Sequence, residues 1–304
     1  MLDGQSVSAH YGTHDMNDDM NHDGVSSEAA PTVIPFPRVH GFQVTVTDRD
    51  HDNLVAPSRL MRMVDVIGGL VGTIVGAPFI MLAMLAIWLE DRHSPFYVAE
   101  RVGAGGKSFR FIKLRSISGG NGVRADEIIS ARDPRVTRLG HFLRASKIDE
   151  LPQFWHVLAG QMSLVGPRAN VRSIVDSFTA EERRIVSVRP GITDLASVVF
   201  LNLGKVLADS PNPKLDYNRL VRPWKSRLAL IYVDNPSFGL AVRIMALTVL
   251  AFFSHDRALR GVSRIAQRFG SDPKLPQMVL SKNRLEPYPP PGADEVISSL
   301  KAIG

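Results

Sequence analysis

Two adjacent carboxylates, Asp149 and Glu150, lie in the part of the sequence that is richest in charged side chains. The nearby cations are Arg135, Arg138, Arg144, Lys147 and Arg168. Arginines bind phosphate oxygens through paired hydrogen bonds, Mg²⁺ takes oxygen ligands, and a carboxylate can act as a covalent nucleophile. This combination is typical of phosphoryl transfer. On spacing alone, a solvated network of ion pairs is an equal alternative.

A helix that begins near Asp149 must position this pair. Its apolar face is formed by Ile148, Leu151, Trp155 and Leu158, at helical spacing. Pro152 is tolerated in a first turn, whereas an N-cap at Ser146 would place its ring six residues into the helix, where it clashes. The capping-box interpretation of Ser146 and Asp149 is therefore the weaker one. Adjacent helical side chains point in different directions, so we expect one carboxylate to attack or take a proton and the other to hold a metal.

An uncharged run of 24 residues, Val66 to Leu89, precedes this region. About 20 helical residues suffice to cross a bilayer core. Pro78 lies near the middle and predicts a kink or break. Three cationic side chains lie within twenty residues on each side, so the positive-inside rule gives no orientation. These features slightly favour a re-entrant hairpin over a kinked transmembrane helix, and both over a buried soluble helix.

A second apolar stretch, Phe238 to Phe253, is interrupted by Arg243. It predicts an amphipathic helix at the membrane surface. Trp224, with Lys225 and Arg227 nearby, indicates another surface-contacting segment. For each segment the open alternative is a core helix whose Lys and Arg side chains reach out to water.

Composition excludes several classes of protein. The 304 residues are 44% hydrophobic and include no cysteine, which excludes disulfide scaffolds, thiolate nucleophiles and iron–sulfur clusters. The net charge is +6. Residues 1–30 carry a charge of −6, so the remaining 274 residues carry +12. A basic domain of this kind favours phosphate-rich partners. The start lacks a signal-peptide pattern and predicts disorder to about residue 35. Its histidines, His10, His14 and His22, fit a solvated tail better than a weak metal site.

Glycines after the apolar run predict a hairpin turn. Gly106-Lys107-Ser108 fails the P-loop pattern, because Arg101 stands where its first glycine is needed. A short strand, Ser108 to Leu114, is expected to follow and to carry Lys113, with Arg115 just beyond it.

Ordered blocks over Ser58 to Phe253 resemble the monotopic phosphoglycosyl transferases, bacterial sugar transferases that begin lipid-linked glycan assembly. The blocks are Arg62-Met63-Val64-Asp65, Glu100-Arg101-Val102-Gly103, Lys113-Leu114-Arg115-Ser116, Asp133-Pro134-Arg135-Val136-Thr137-Arg138, Ile148-Asp149-Glu150-Leu151-Pro152-Gln153, Met162-Ser163-Leu164-Val165-Gly166-Pro167-Arg168 and Arg189-Pro190-Gly191-Ile192-Thr193. Asp194-Leu195-Ala196-Ser197 departs from the family pattern, which leaves the sugar open.

The resemblance implies transfer of a sugar 1-phosphate from a UDP-sugar to undecaprenyl phosphate, with Mg²⁺ and release of UMP. Asp149 would form a phosphosugar-aspartyl intermediate. Glu150 would assist, either by binding metal together with Asp149 or by activating the acceptor. The predicted phosphate- and substrate-binding residues are Lys113, Arg115, Arg144 and Arg168. The family's membrane element is a re-entrant helix, which agrees with a break at Pro78.

The predicted fold is α/β, mostly helical with a small sheet: a cytoplasmic catalytic domain on a re-entrant helix hairpin, with interfacial amphipathic helices, at the bacterial inner membrane. The expected divisions are an N-terminal extension (1–57), the hairpin (58–92), the catalytic domain (93–259) and a C-terminal extension (260–304). That extension contains a polyproline-type linker at 287–291 and a short helix at 293–302. A homodimer is a further expectation. A degenerate lipid-phosphate-binding scaffold is the alternative function, and a nucleic-acid-binding protein is disfavoured.

Overall fold

A computed structural model describes residues 58–118, 133–201, 203–208, 210–281 and 285–299. These residues belong to one compact unit, Val44–Gly304. The predicted disordered tail and its histidines lie outside the described residues. The helices are α1 Arg59–Asp91, α2 Arg138–Ser146, α3 Gln153–Leu158, α4 Arg172–Asp176, α5 Ala180–Arg183, α6 Leu195–Val199, α7 Leu203–Val206, α8 Pro213–Asp216, α9 Arg222–Asp234, α10 Phe238–Phe253, α11 His255–Phe269 and α12 Leu275–Leu280. The strands are β1 Phe96–Val102, β2 Ser108–Leu114, β3 Ser163–Val165 and β4 Gly191–Thr193.

Helix α1 has 33 residues and is capped by Ser58, whose side chain accepts a hydrogen bond from the Met61 amide. Within the described chain it is the one helix long and apolar enough to cross a membrane. Of the residues in its most apolar 18-residue stretch, 17% are buried. The helix continues through Pro78, so the sequence-predicted break is not seen. A proline inside a helix removes one backbone hydrogen bond without necessarily ending it.

One face of α1 packs on the rest of the domain along its length. Glycines allow the close approach, since a Cβ added at Gly72 would lie 2.4 Å from the Phe154 ring. Near its start, Arg62 donates to the carbonyls of Val157 and Leu158 at 2.8 and 2.9 Å. The opposite face carries exposed apolar side chains, including Ile67.

The strands form two small sheets. β1 and β2 are an antiparallel hairpin, with Phe96 opposite Leu114, and its turn contains Gly105 and Gly106 at positive φ. This confirms the predicted strand and glycine turn. β3 and β4 pair in parallel, with Ser163 beside Gly191. The mostly helical fold with a small amount of sheet is thus as predicted.

The main core lies among α6, α9, α10, α11 and α12, and includes Leu195, Leu228, Ile244, Val262 and Leu275. Trp224 is 5% exposed, so the core alternative is correct for α9. The predicted apolar stretch is helix α10 with the same bounds. It buries Ile244 and exposes Phe252 and Phe253, as an amphipathic helix does.

The C-terminal segment packs on the domain. Residue 260 lies inside α11, and Tyr288 stacks on Trp224 at a centroid distance of 4.3 Å. Pro291 is buried and accepts a hydrogen bond from the Thr179 hydroxyl at 2.5 Å. Residues 285–291 are therefore attached to the catalytic part, unlike a free linker. Residues 293–299 contain no helix, and 300–302 lie outside the described residues.

Candidate active site

A change of helix direction places the carboxylate pair at the start of α3. Helix α2 ends at Lys147, which has a left-handed backbone with φ 61°. A 3₁₀ turn, Ile148–Glu150, follows at once and leads through Pro152 into α3. The expected position of Pro152 near the helix start is confirmed. Asp149 and Glu150 thus lie on the turn that joins α2 to α3, and the amides of Glu150 and Leu151 in this turn donate to the carbonyls of Lys147 and Ile148.

Glu150 is held by Arg168. The two guanidinium nitrogens of Arg168 donate to the two Glu150 oxygens at 2.8 and 3.0 Å, and one also donates to the Ile192 carbonyl at 2.7 Å. Burial raises the pKa of Glu150, but the Arg168 charge and hydrogen bonds outweigh it and lower the pKa to about 2. Glu150 is therefore ionised, and each of its oxygens accepts a hydrogen bond from Arg168.

Asp149 has the opposite environment. It is 4% exposed, and its Oδ1 has no hydrogen-bond partner in the described chain. Burial and the neighbouring Glu150 charge raise the pKa of Asp149 to about 6, against the lowering effect of Lys113, Lys147 and Arg144. Two adjacent carboxyls with pKa values shifted in opposite directions are suited to different chemical roles.

Cations surround Asp149 without neutralising it directly. Lys113, Arg144 and Lys147 all act on its charge, yet none forms an ion pair with it in the part of the chain described. Arg144 Nε donates to the Ser116 hydroxyl at 2.8 Å. Burial lowers the pKa of Lys113. The cluster therefore keeps positive charge available for an anionic ligand.

Sequence reasoning missed two members of this cluster. Arg101, on β1, interacts electrostatically with Arg168 and Lys113, and its buried Nε has no partner among described residues. Gln153 is fully buried, and neither polar atom of its amide is bonded there. A signal existed for each, because Arg101 and Gln153 both lie in recognised sequence blocks.

Arg115 lies elsewhere. Its guanidinium binds both oxygens of Asp91 at 2.5 Å and the carbonyls of Ser94 and Ile117. This corrects the expected grouping with the phosphate-binding cations, because all its main contacts tie the end of α1 to the end of β2. His156 is also structural, since its Nε2 accepts from the Ile112 amide at 3.1 Å.

Asp149 and Glu150 are the predicted metal-binding residues of this site. No group of three or more histidine and carboxylate side chains that could hold a metal occurs among the residues described. Mg²⁺ is commonly bound through one or two carboxylates together with substrate phosphates. The free Asp149 Oδ1 fits such a shared site, and each Glu150 oxygen accepts one hydrogen bond from Arg168, which leaves a further lone pair on each.

Comparisons with known proteins identify the family of the chain. A family model described as bacterial sugar transferase matches residues 57–255. A UDP-glucose:undecaprenyl-phosphate glucose-1-phosphate transferase of Caulobacter vibrioides is 40% identical over 213 residues, which cover 67% of this chain and 73% of that protein. A UDP-N-acetylgalactosamine-undecaprenyl-phosphate N-acetylgalactosaminephosphotransferase of Aeromonas hydrophila is 37% identical over 195 residues, or 62% of this chain and 43% of that protein. The chain therefore belongs to the bacterial sugar transferase family, whose named relatives here are undecaprenyl-phosphate sugar phosphotransferases.

Proposed function

We propose that the protein transfers a sugar 1-phosphate from a UDP-sugar to undecaprenyl phosphate through a covalent intermediate on Asp149. The observation that carries the proposal is the contrast within the dyad. One carboxylate is fixed by Arg168, and the other has a free, buried oxygen among cations. The second carboxylate has what a nucleophile toward phosphorus needs: an unoccupied lone pair and nearby charge to attract a diphosphate.

The reaction proceeds in two displacements. An Asp149 oxygen attacks the phosphorus that bears the sugar, forming an acyl–phosphate bond while the phosphoanhydride bond breaks and UMP leaves. An oxygen of undecaprenyl phosphate then attacks the same phosphorus and frees Asp149, giving undecaprenyl diphosphate-sugar. Mg²⁺, held by Asp149 and the donor phosphates, would neutralise charge on the diphosphate.

The remaining charged residues bind and orient the substrates. Arg168, fixed by Glu150, presents a rigid guanidinium next to the nucleophile. Lys113 and Arg144 add charge from β2 and α2, and Arg101 adds charge beside Arg168. Preorganised cations of this kind stabilise the charge that develops on transferred phosphoryl groups.

The membrane element supports placing this site at the lipid surface. Arg62 near one end of α1 and Asp91 at the other both bind the same polar domain. A straight helix of 33 residues spans about 50 Å, so contacts with one domain at both ends favour a helix whose two ends stay on the same side of the membrane. We propose that this side is the cytoplasmic face of the inner membrane, where a UDP-sugar meets a lipid phosphate. A homodimer stays a prediction.

The test is release of UMP from a panel of UDP-sugars by the full chain in detergent, with and without undecaprenyl phosphate. The expected result is one preferred donor and UMP release that depends on the acceptor at steady state. Binding of undecaprenyl phosphate without turnover of any donor would instead support the scaffold alternative.

A further inference from the structure

A cavity lies where the two apolar helices α1 and α10 begin. Its volume is about 300 Å³, and its lining includes Ser58, Met61, Arg189, Tyr232, Ser237 and Phe238. Arg189 precedes strand β4, whereas Arg168 follows β3. The cavity touches β3 and the residues just before β4, and none of the proposed catalytic residues lines it.

An arginine with an unbonded guanidinium nitrogen lines this cavity. Arg189 is half-buried and is one of the lining residues, and its Nη1 has no hydrogen-bond partner in the described part of the chain. The carboxylate that interacts with Arg189 is Asp65, but Asp65 already accepts from the Ser163 hydroxyl and the Leu164 amide at 2.8 to 3.0 Å. An unpaired buried donor is costly unless a ligand accepts from it. The cavity is thus lined by an arginine whose positive charge favours an anion.

The helix starts add to this preference for negative charge. Ser58 and Ser237 cap α1 and α10, helices of 33 and 16 residues, and both line the cavity. Each serine accepts from one amide of its helix, which leaves the other first-turn amides and the positive ends of two helix dipoles directed to this region.

Exposed apolar side chains lie next to this cavity. Leu60 and Met63 on the first turns of α1 are 49% and 60% exposed, and Phe238 and Val242 on α10 are 40% and 41% exposed. A ligand that fits both features has a negative head group and an apolar tail. A free inorganic anion would use only the first feature.

We propose that this cavity binds the phosphodiester head group of an anionic membrane lipid, at a site separate from the one that binds the acceptor. The phosphate accepts from Arg189, and the acyl chains lie along the exposed side chains of α1 and α10. The proposal uses the membrane location proposed for α1 and does not depend on the catalytic mechanism.

The experiment measures thermal unfolding of the full chain in neutral detergent during titration with dihexanoyl phosphatidylglycerol. Dihexanoyl phosphatidylcholine and inorganic phosphate are titrated in parallel. We expect a saturable rise in Tm with phosphatidylglycerol and none with the other two. Arg189→Gln is expected to weaken the apparent affinity by about tenfold or more, because a charge-assisted hydrogen bond is lost.

Two control variants separate this site from the rest of the molecule. Arg264→Gln removes an exposed charge on α11 and should leave the response unchanged. Arg144→Gln should also retain it even if catalysis falls, so failure of the proposed function would not be mistaken for failure of this site. Equal affinity in wild type and Arg189→Gln would overturn the proposal. So would an equal response to phosphatidylcholine, or tight binding of inorganic phosphate alone. If Arg189→Gln does not fold, Arg189→Lys and the comparison of the two lipids on wild type decide the matter.

Discussion

Two arginine–carboxylate clusters in this chain differ in how completely their buried polar atoms are bonded. In the first, Glu182 accepts from Arg222, Ser226 and Thr179, and Arg222 also donates to Ser177 and Asn218. In the second, around Asp149 and Glu150, Arg168 satisfies Glu150, while polar atoms of Asp149, Gln153 and Arg101 have no partner among the described residues.

The difference indicates which cluster binds a ligand. Unpaired buried polar groups cost free energy, and a fold retains them where a substrate or ion will complete the bonding. The first cluster connects α5 to α9 and is a structural element. The second one contains the residues that we assign to catalysis.

The largest expected effect is loss of activity in Asp149→Asn. Because the amide cannot form the covalent intermediate, we expect kcat to fall by about 10³-fold or more, measured as UMP release.

Stability provides the control for Asp149→Asn. The raised pKa of Asp149 means that its ionised form, dominant above pH 6, costs folding free energy. Removing that charge should leave Tm at pH 8 unchanged or higher. A lower Tm together with the lost activity would assign Asp149 a structural role instead.

Glu182→Ala should lower stability, in contrast to Asp149→Asn, which should lower activity. Removing one partner of a buried ion pair leaves Arg222 unpaired, and we expect the free energy of unfolding to fall by about 3–5 kcal/mol, measured by urea titration in detergent. The matched control is Asp234→Ala, which breaks the exposed pair of Arg184 and Asp234 and should cost about 1 kcal/mol or less. Similar costs for the two variants would remove the contrast between buried and exposed pairs.

Arg168→Lys tests the pair of hydrogen bonds by which Arg168 holds Glu150. A lysine cannot donate two parallel hydrogen bonds to a carboxylate, so we expect kcat/KM to fall by about 100-fold while the fold is retained. Arg260→Lys, an exposed change on α11, should alter kcat/KM by less than about twofold. Activity near the wild-type level in Arg168→Lys would show that charge alone suffices at this position.

The pH dependence of kcat/KM has the smallest expected effect. Because Asp149 has a pKa of about 6, it protonates as the pH falls through 6, and kcat/KM should then fall about tenfold per pH unit. Glu150, with a pKa of about 2, should not contribute in this range. A profile that is flat from pH 8 to 5 would contradict the assignment of Asp149 as the ionised nucleophile.

Local patterns predicted local features well. The position of Pro152 located the start of a helix just after the dyad, although α3 begins at Gln153 and buries His156 and Val157 while the predicted face residue Trp155 is exposed. The apolar stretch Phe238–Phe253 is a helix with those bounds. Strand Ser108–Leu114 also has the predicted bounds. In each case the information lies within a few consecutive residues.

Contacts between distant residues were not predictable in the same way. Spacing of two places Lys113 and Arg115 on one face of a strand, which is why the sequence groups them, but β2 ends at Leu114. Arg115 lies beyond the strand and binds Asp91 at the end of α1, a contact between residues that are distant in sequence. The parallel pair β3–β4 has three residues per strand, which is too short for a period of two to be recognised. The break at Pro78 was inferred from a local tendency, whereas α1 is packed along its length on the domain.

The central claim is that Asp149 takes the phosphosugar. The direct measurement is mass spectrometry of the full chain after incubation with the preferred UDP-sugar and no acceptor, followed by acid quench and proteolysis. We predict an added sugar-phosphate mass on the peptide that contains Asp149, lost again when undecaprenyl phosphate is supplied. The covalent mechanism would be contradicted if product forms but Asp149 is unmodified in every sample, including samples quenched before one turnover is complete.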